Sequence, residues 1–274
     1  SYSSSLKSSL NINGYNINKI DDTMEFYITA YQSNQNDEDN KTIPTVLPHV
    51  IYNTGTSYLR GFNYNNSLEF YNIFRDTPTT IHSKNQKKLS SKFSLNKEII
   101  TVGTRINFDT EIYNQFFVVE DKVINNQNNS GNYFRSFPIF GANIETPFRF
   151  KKNYKNLIYT PKLSLVITPG ISNSNKLSNE DSSVNSYTIA NNSNLNRFTG
   201  NDKLDNSKRI SLSFNINNNN FDAIFSQDYE FTNNSNFHYS QGNEKKLGDF
   251  LAGVRYNTDY FGTNYNIRYD SNDS

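Results

Sequence analysis

The chain has 274 residues, is 34% hydrophobic with a mean hydropathy of −0.76, and carries a formal charge of +1. Near-neutrality gives no general electrostatic case for nucleic acid or other acidic partners, and the 19 Tyr and 21 Phe argue against general disorder, because disordered chains are poor in aromatics. The absence of cysteine excludes disulfides, thiol catalysis and cysteine-ligated metals.

Period-two alternation predicts strands over 6–17, 23–31, 44–52, 57–64, 67–75, 88–95, 98–108, 132–141, 157–168, 208–217, 221–231, 249–257 and 260–269. In 98–108, Ile100, Val102, Thr104, Ile106 and Phe108 share one face. The run Ile210-Ser211-Leu212-Ser213-Phe214-Asn215-Ile216-Asn217 alternates without a slip, so a strand there has one apolar face and one polar face. The pattern resumes over Phe221–Phe231, with aromatic and apolar residues at odd positions and acidic or small ones at even positions. Near the end, Phe250, Ala252, Val254 and Tyr256 oppose Asp249, Gly253 and Arg255, and charged residues keep to one face.

Short turns are expected near Asn65-Asn66, Asn96-Lys97, Asn217–Asn220 and 257–259, and long polar connections at 32–43, 76–87, 120–131, 170–207 and 232–247. No apolar run reaches the length of a membrane helix. Low overall hydrophobicity with many aromatics fits an antiparallel transmembrane β-barrel, which needs apolar residues only at alternate positions and has short turns at one end and long loops at the other. The fold expected is all-β, an antiparallel transmembrane β-barrel, with 1–274 as a single unit. The chain opens at Ser1 with no secretory signal, which suggests an internal piece of a longer exported protein.

The acids Asn179-Glu180-Asp181-Ser182, Asp202 and Asp205 could be a cation site, but ordinary acids on an exposed loop are the simpler reading. His49, His82 and His238 are far apart in sequence and adjoin no evident acid–base partner. Lys84, Lys87 and Lys88 read as a solvated loop cluster, and Asp21-Asp22 and Glu120-Asp121 as solvated strand ends. No nucleophile, base and orienting group can be assembled, so no enzyme and no cofactor are expected.

Leu177-Ser178-Asn179-Glu180-Asp181-Ser182 is followed by Asn194-Leu195-Asn196-Arg197-Phe198-Thr199-Gly200-Asn201-Asp202 and then Lys208-Arg209-Ile210. This succession resembles the NEDS…NLxxRFxGxD run of the LptD (OstA) family, the outer-membrane lipopolysaccharide-assembly proteins. Arg135-Ser136-Phe137-Pro138 resembles the family's R-x-x-P segment, and Thr160-Pro161-Lys162-Leu163 its P-x-L strand. Leu47-Pro48-His49-Val50 and the stretch from Gly55 to Arg75 fit the earlier part of the same domain. Asn196 stands where the family has Phe, and Lys203 where it has Arg.

The resemblance implies the middle strands of a very large barrel in the outer membrane of a Gram-negative bacterium, with the N-terminal periplasmic domain and the terminal barrel strands lying outside this chain. It implies lipopolysaccharide as cargo, received from a periplasmic Lpt bridge and released through a lateral gate, and an LptE-like plug lipoprotein in the lumen. No bond is made or broken. Asn179, Glu180, Asp181, Ser182, Arg197, Phe198, Gly200 and Asp202 would form a structural loop at or in the lumen, with Arg197 pairing with Asp181 or Asp202. Ser211, Ser213, Asn215, Arg255, Asn266 and Arg268 would line the lumen, so that Arg costs little at Ser213 and much at Leu212 or Phe214. The alternatives are a porin-like channel and a soluble β-sandwich binding module.

Overall fold

The computed structural model describes residues 5–33, 40–150, 156–171, 173–183, 188–189, 191–232 and 247–270. His238 and most of the expected connections 32–43 and 232–247 lie outside the described residues. The elements are β1 (Ser5–Tyr15), β2 (Thr23–Ser33), a 3-10 turn (Asn40–Thr42), β3 (Thr45–Asn53), β4 (Ser57–Leu59), β5 (Phe62–Phe74), β6 (Asn85–Thr101) and β7 (Thr104–Ile124). They continue with β8 (Gln127–Glu145), β9 (Phe148–Arg149), β10 (Ile158–Ile167), β11 (Lys208–Asn217), β12 (Phe221–Glu230), β13 (Phe250–Asn257) and β14 (Gly262–Tyr269). All belong to one antiparallel sheet, an open barrel fragment, ordered β1-β2-β3-β5-β6-β7-β8-β10-β11-β12-β13-β14, with β4 beside β5 and β9 beside β10. Among the described residues no ladder joins β14 back to β1.

Two-residue turns decide several boundaries. Arg60-Gly61, Val102-Gly103 and Asn125-Asn126 all have positive φ at both residues, the backbone of a type I′ turn, whose twist matches the flanking strands. The single strand expected over 98–108 is therefore split at Val102-Gly103, and that over 57–64 is split at Arg60-Gly61. The connection expected at 120–131 is strand on both sides of Asn125-Asn126, while the turns expected at Asn65-Asn66 and Asn96-Lys97 are strand interior. Asn-rich stretches mislead here because a polar residue on a polar face alternates as well in a strand as it sits in a turn.

Contacts group the chain into two compact units, 1–95 with 111–138 and 174–182, and 96–110 with 139–173 and 183–274. In the first unit the buried face of the sheet is largely polar: Arg75, Gln86, Lys88, Ser90, Gln115 and Arg135 are inaccessible, together with Tyr71, Phe117 and Phe137. The opposite face leaves Leu89, Phe116 and Phe134 exposed. Gln115 links two strands of the polar face, donating to Ser90 Oγ at 3.3 Å and accepting from Arg135 Nε at 2.9 Å. Asp22, in the turn after β1, is buried too, contrary to the solvated strand end expected. Its carboxylate accepts from the backbone N–H groups of Ile17, Asn18 and Lys19 and from the Tyr52 hydroxyl. Burial alone would raise its pKa, but these donors outweigh burial and lower it.

The second unit repeats the inversion. In β11, Ser211 is 1% exposed and Leu212 46%. Registers Leu163↔Leu212 and Phe214↔Phe225 set the apolar residues of β10, β11 and β12 side by side on the exposed face. Registers Ser164↔Ser211, Ser211↔Asp228 and Ser213↔Ser226 do the same for the polar face. A row of stacked rings crosses the exposed face: Phe148 and Tyr159 at 6.4 Å, Tyr159 and Phe214 at 6.0 Å, and Phe225 and Phe250 at 6.3 Å. β10, β11 and β12 are each 10 residues long, the length a tilted strand needs to cross a bilayer. Among the described residues no helix is long and apolar enough to cross a membrane.

Candidate functional site

The chain between β10 and β11 carries the family-like motif, and each half of it is fastened to a sheet face by buried charge. In the first unit, residues 174–182 lie against β5 and β6. Gln86 grips the backbone of Ser178 from both sides: its Oε1 accepts from Ser178 N–H at 2.9 Å, and its Nε2 donates to Ser178 O at 3.0 Å and to Tyr71 Oη at 2.6 Å. Ser178 Oγ accepts from the Ser83 N–H at 3.0 Å. These bonds satisfy backbone groups that a loop could otherwise not bury.

Glu180 and Asp181 then meet two buried cations. The Arg75 guanidinium forks onto the Glu180 carboxylate, with Nη1–Oε1 at 2.9 Å and Nη2–Oε2 at 2.5 Å, the bidentate geometry that makes such pairs strong. His82 Nδ1 lies 3.5 Å from the same carboxylate. Lys88 Nζ reaches Asp181 Oδ2 at 2.8 Å and Glu69 Oε2 at 3.0 Å, above the Tyr71 ring at 4.4 Å. Lys88 is thus no solvated loop residue; its parity in β6 turns it to the polar face with Gln86 and Ser90. Asn179 and Ser182 close the motif on itself, Asn179 Nδ2 donating to Ser182 O at 2.6 Å and Ser182 Oγ to Asp181 Oδ1 at 2.7 Å. Burial on its own would raise the Glu180 pKa. His82, the Arg75 guanidinium and the Ser178 hydroxyl outweigh it and hold the carboxyl down at about 2.

In the second unit, residues 191–207 lie against β10, β11 and β12. Arg197 is the centre: Nε donates to Asp205 Oδ2 at 2.6 Å, and its other nitrogens lie 3.4 Å from Asp228 and 3.5 Å from Glu230. Arg209 shares Asp205 at 3.0 Å and also donates to Asn194 O. Desolvation would lower the Arg197 pKa, but Asp205, Asp228 and Glu230 reverse this and raise it. Phe198 and Leu204 are buried beside the cluster, Asp202 is buried, and Gly200 takes φ +70. Asn173 brackets Leu204, accepting its N–H and donating to its O, each at 2.9 Å. Leu195 packs on Gly141 of β8, where a Cβ would collide with Leu195 Cδ2.

The acids seated on Arg197 are therefore Asp205, Asp228 and Glu230, where the sequence pointed to Asp181 or Asp202; Asp181 holds Lys88 instead. Ser211 and Ser213 lie on the polar face but are covered, Ser213 Oγ at 2.7 Å from Ser226 Oγ, so Arg at Ser213 has no room there. Asn215 is half-buried on the same face. Arg255, Asn266 and Arg268 stay accessible on β13 and β14, Arg255 pairing with Asp222 at 3.2 Å and Arg268 with Asp249. His49 and His82 lie beside acids that the sequence did not reveal: His49 Nε2 is 2.8 Å from Glu69, and His82 meets Glu180. Among the described residues no group of three or more His, Cys, Asp or Glu could hold a metal.

Arg75, Gln86, Arg209, Asp228 and Glu230 were not legible as site residues from local motifs. Parity was the available signal. Gln86, Arg209, Asp228 and Glu230 each fall in step with the buried residues of their strands, and Arg75 follows β5 directly on the same parity as Tyr71 and Ile73.

No curated protein matches the chain. Among solved structures, CdiB from Acinetobacter baumannii is similar at 12% identity over 97% of this chain and 54% of that one, with a TM-score of 0.38. The chain spans about half the length of that structure. The family model described as LptD, LPS transport system D, matches residues 2–274, so the match takes in both anchors and every strand that carries them, and the chain belongs to the LptD family.

Proposed function

We propose that the chain is part of the wall of an outer-membrane translocon that inserts lipopolysaccharide into the outer leaflet, by non-enzymatic passage through a hydrated lumen and a lateral gate. The observation that carries this reading is the inversion of the sheet: buried Arg, Lys, Gln and Ser on one face, exposed Leu, Ile and Phe on the other. Water-soluble proteins bury the second set. A lipid-facing barrel wall exposes it and turns the polar set to its interior. The ring row on the exposed face and strands of bilayer-spanning length support the same placement. In this reading 1–274 acts as one stretch of barrel wall.

Arg255, Asn266 and Arg268, accessible on the polar face, are then the residues open to a sugar-phosphate head group. Ser211 and Ser213 support the docked connection from beneath. Asn179, Glu180, Asp181, Ser182, Arg197, Phe198, Gly200 and Asp202 hold that connection and do not themselves meet cargo. A periplasmic Lpt bridge supplies the lipid, and an LptE-like lipoprotein occupies lumen space that these strands leave open. The outer membrane is the location this implies.

Photo-crosslinking in the intact protein in cells tests the reading, with the probe placed singly at Asn264, Asn266, Tyr265 and Ile267. Lipopolysaccharide adducts at the two asparagines, with bulk membrane lipid at the other two, are expected. Membrane lipid at Tyr265 and Ile267 without lipopolysaccharide at either asparagine would leave a porin-like channel as the reading. Absence of lipid adducts at all four positions would return the chain to a soluble module.

A further inference from the structure

On the exposed face of the second unit an apolar trench of about 370 Å³ crosses β10, β11 and β12. Strand register lays it out in rows. Leu163, Leu212 and Gln227 stand side by side across the three strands and form the floor. The rings of Phe214 and Phe225, with Phe250 stacked on the latter at 6.3 Å, form one wall. Ile210 and Tyr229, register partners, form the other. Two residues beyond Ile210 in β11, on the same parity, Lys208 is exposed.

The trench owes its shape to a bulge. The ladder between β12 and β13 ends at Ser226↔Leu251, and the next pairing is Tyr229↔Leu247. Two residues of β12 therefore oppose three of the facing segment, the count of a β-bulge. What reaches Gln227 there is a carbonyl: its Nε2 donates to Gly248 O at 3.1 Å. A carbonyl only accepts, so the amide is fixed with Nε2 toward Gly248. Gln227 Oε1 is left as an acceptor with no donor among the described residues, and Lys208 Nζ has no acid among them. An amide oxygen without a donor is costly on a face otherwise made of Leu, Ile and Phe, and a ligand that brings a donor removes the cost.

We propose that this trench seats one phosphorylated, hydroxyacylated glycolipid of the surrounding leaflet. Its acyl chain lies between the phenylalanine wall and Tyr229, the hydroxyl or amide N–H beside that chain donates to Gln227 Oε1, and its phosphate meets Lys208. Depth agrees with this order. Gln227 lies three residues from the Glu230 end of β12, the end where the long connections leave, which on a tilted strand is about 7–8 Å. The first carbons of an acyl chain lie at such a depth, and Lys208, beside Glu230 in the register, is level with the head group. A glycerophospholipid has the chain and the phosphate but no donor beside the chain. The proposal rests on the outer-membrane reading for the lipid around the wall; it concerns the outer face, and a lipid held there is a resident of the wall and not cargo in the lumen.

The test uses the intact protein in phosphatidylcholine nanodiscs that carry a small fraction of either diphosphoryl lipid A, which is hydroxyacylated, or cardiolipin, which has two phosphates and no hydroxyacyl chain. Lipid retained after detergent extraction is counted by native mass spectrometry. Retention of lipid A about fivefold above cardiolipin is expected, the effect of one added hydrogen bond. Gln227→Leu is expected to remove that difference, and Lys208→Gln to lower retention of both lipids. Leu212→Trp, which fills the floor, is expected to lower both, while Leu10→Trp on the exposed face of β1 changes neither. Equal retention of the two lipids by the inserted parent protein overturns the seat, whether or not the variants fold. Failure of the parent to insert, with neither lipid retained, would overturn the seat and the outer-membrane reading together.

Discussion

Arg197 Nε donates to Asp205 Oδ2 at 2.6 Å, and the side chains of both residues are at most 2% accessible. Asp205 also carries Arg209 at 3.0 Å, so this one carboxylate bridges two guanidinium groups, while Asp228 and Glu230 face Arg197 from its other side. Such a pair adds modestly when complete, because desolvating both charges offsets their attraction. Removing one partner is costly, since the other is left buried and uncompensated.

Asp205→Ala is therefore expected to destabilise the docked connection by about 3–5 kcal/mol. Limited proteolysis of the detergent-solubilised protein measures this as faster cleavage within 183–207. Equal cleavage rates in Asp205→Ala and the parent would show that the cluster does not hold the connection. Arg197→Ala, which leaves buried Asp228 and Glu230 without the cation they face, is expected to cost at least as much as Asp205→Ala.

Glu180 supplies a pH dependence. Its carboxyl is held down at about 2, below the ordinary glutamate value of about 4.5, so the docked form binds its proton more weakly than the released form. The stabilisation is complete above about 4.5 and is lost as pH falls towards 2. The difference corresponds to about 3 kcal/mol. Cleavage within 174–182 is expected to accelerate across that window, measured with an acid-stable protease. Glu180→Gln, which cannot ionise, is expected to be cleaved readily at neutral pH and to change little on acidification.

Gly141 tests packing without charge. A methyl group there would overlap Leu195, and an overpacked site costs about 1–3 kcal/mol. Gly141→Ala is expected to loosen the connection. Pairing it with Leu195→Ala is expected to recover part of the loss, since the second change vacates the space the first one fills. A double-mutant cycle on thermal stability reads the coupling, and strict additivity would mean that the two residues do not touch.

The strand alternation was legible because a period of two writes both faces of a strand directly into the sequence. β11 runs over Lys208–Asn217 as the pattern from Ile210 to Asn217 requires. Asn-rich segments were misleading: Asn65-Asn66 lies inside β5 and Asn96 inside β6, while Asn125-Asn126 does form a turn. In a polar-faced strand Asn marks no boundary. The motif residues Glu180 and Arg197 stood out, but their partners did not, because Arg75 is separated from Glu180 by 105 positions and Asp228 from Arg197 by 31. Pairing at that distance is set by strand register, which local sequence does not state. Parity narrows the choice to inward residues, and Lys88, Arg209, Asp228 and Glu230 all satisfy it.

The last expectation concerns which face meets hydrocarbon. Leu212 projects from the exposed face of β11 between Leu163 and Gln227, its register partners. Arg there would place a charge in the bilayer interior, at a cost of about 2–4 kcal/mol near the midplane. Asn264, accessible on the polar face of β14 beside Arg255, has water around it in the same reading, and Asn264→Arg is expected to cost at most about 1 kcal/mol. Reversible unfolding from lipid vesicles measures both. A large penalty at Leu212 and a small one at Asn264 fixes the orientation of the sheet. The reverse order would place the apolar face against protein and withdraw the membrane-wall reading, whatever the family match.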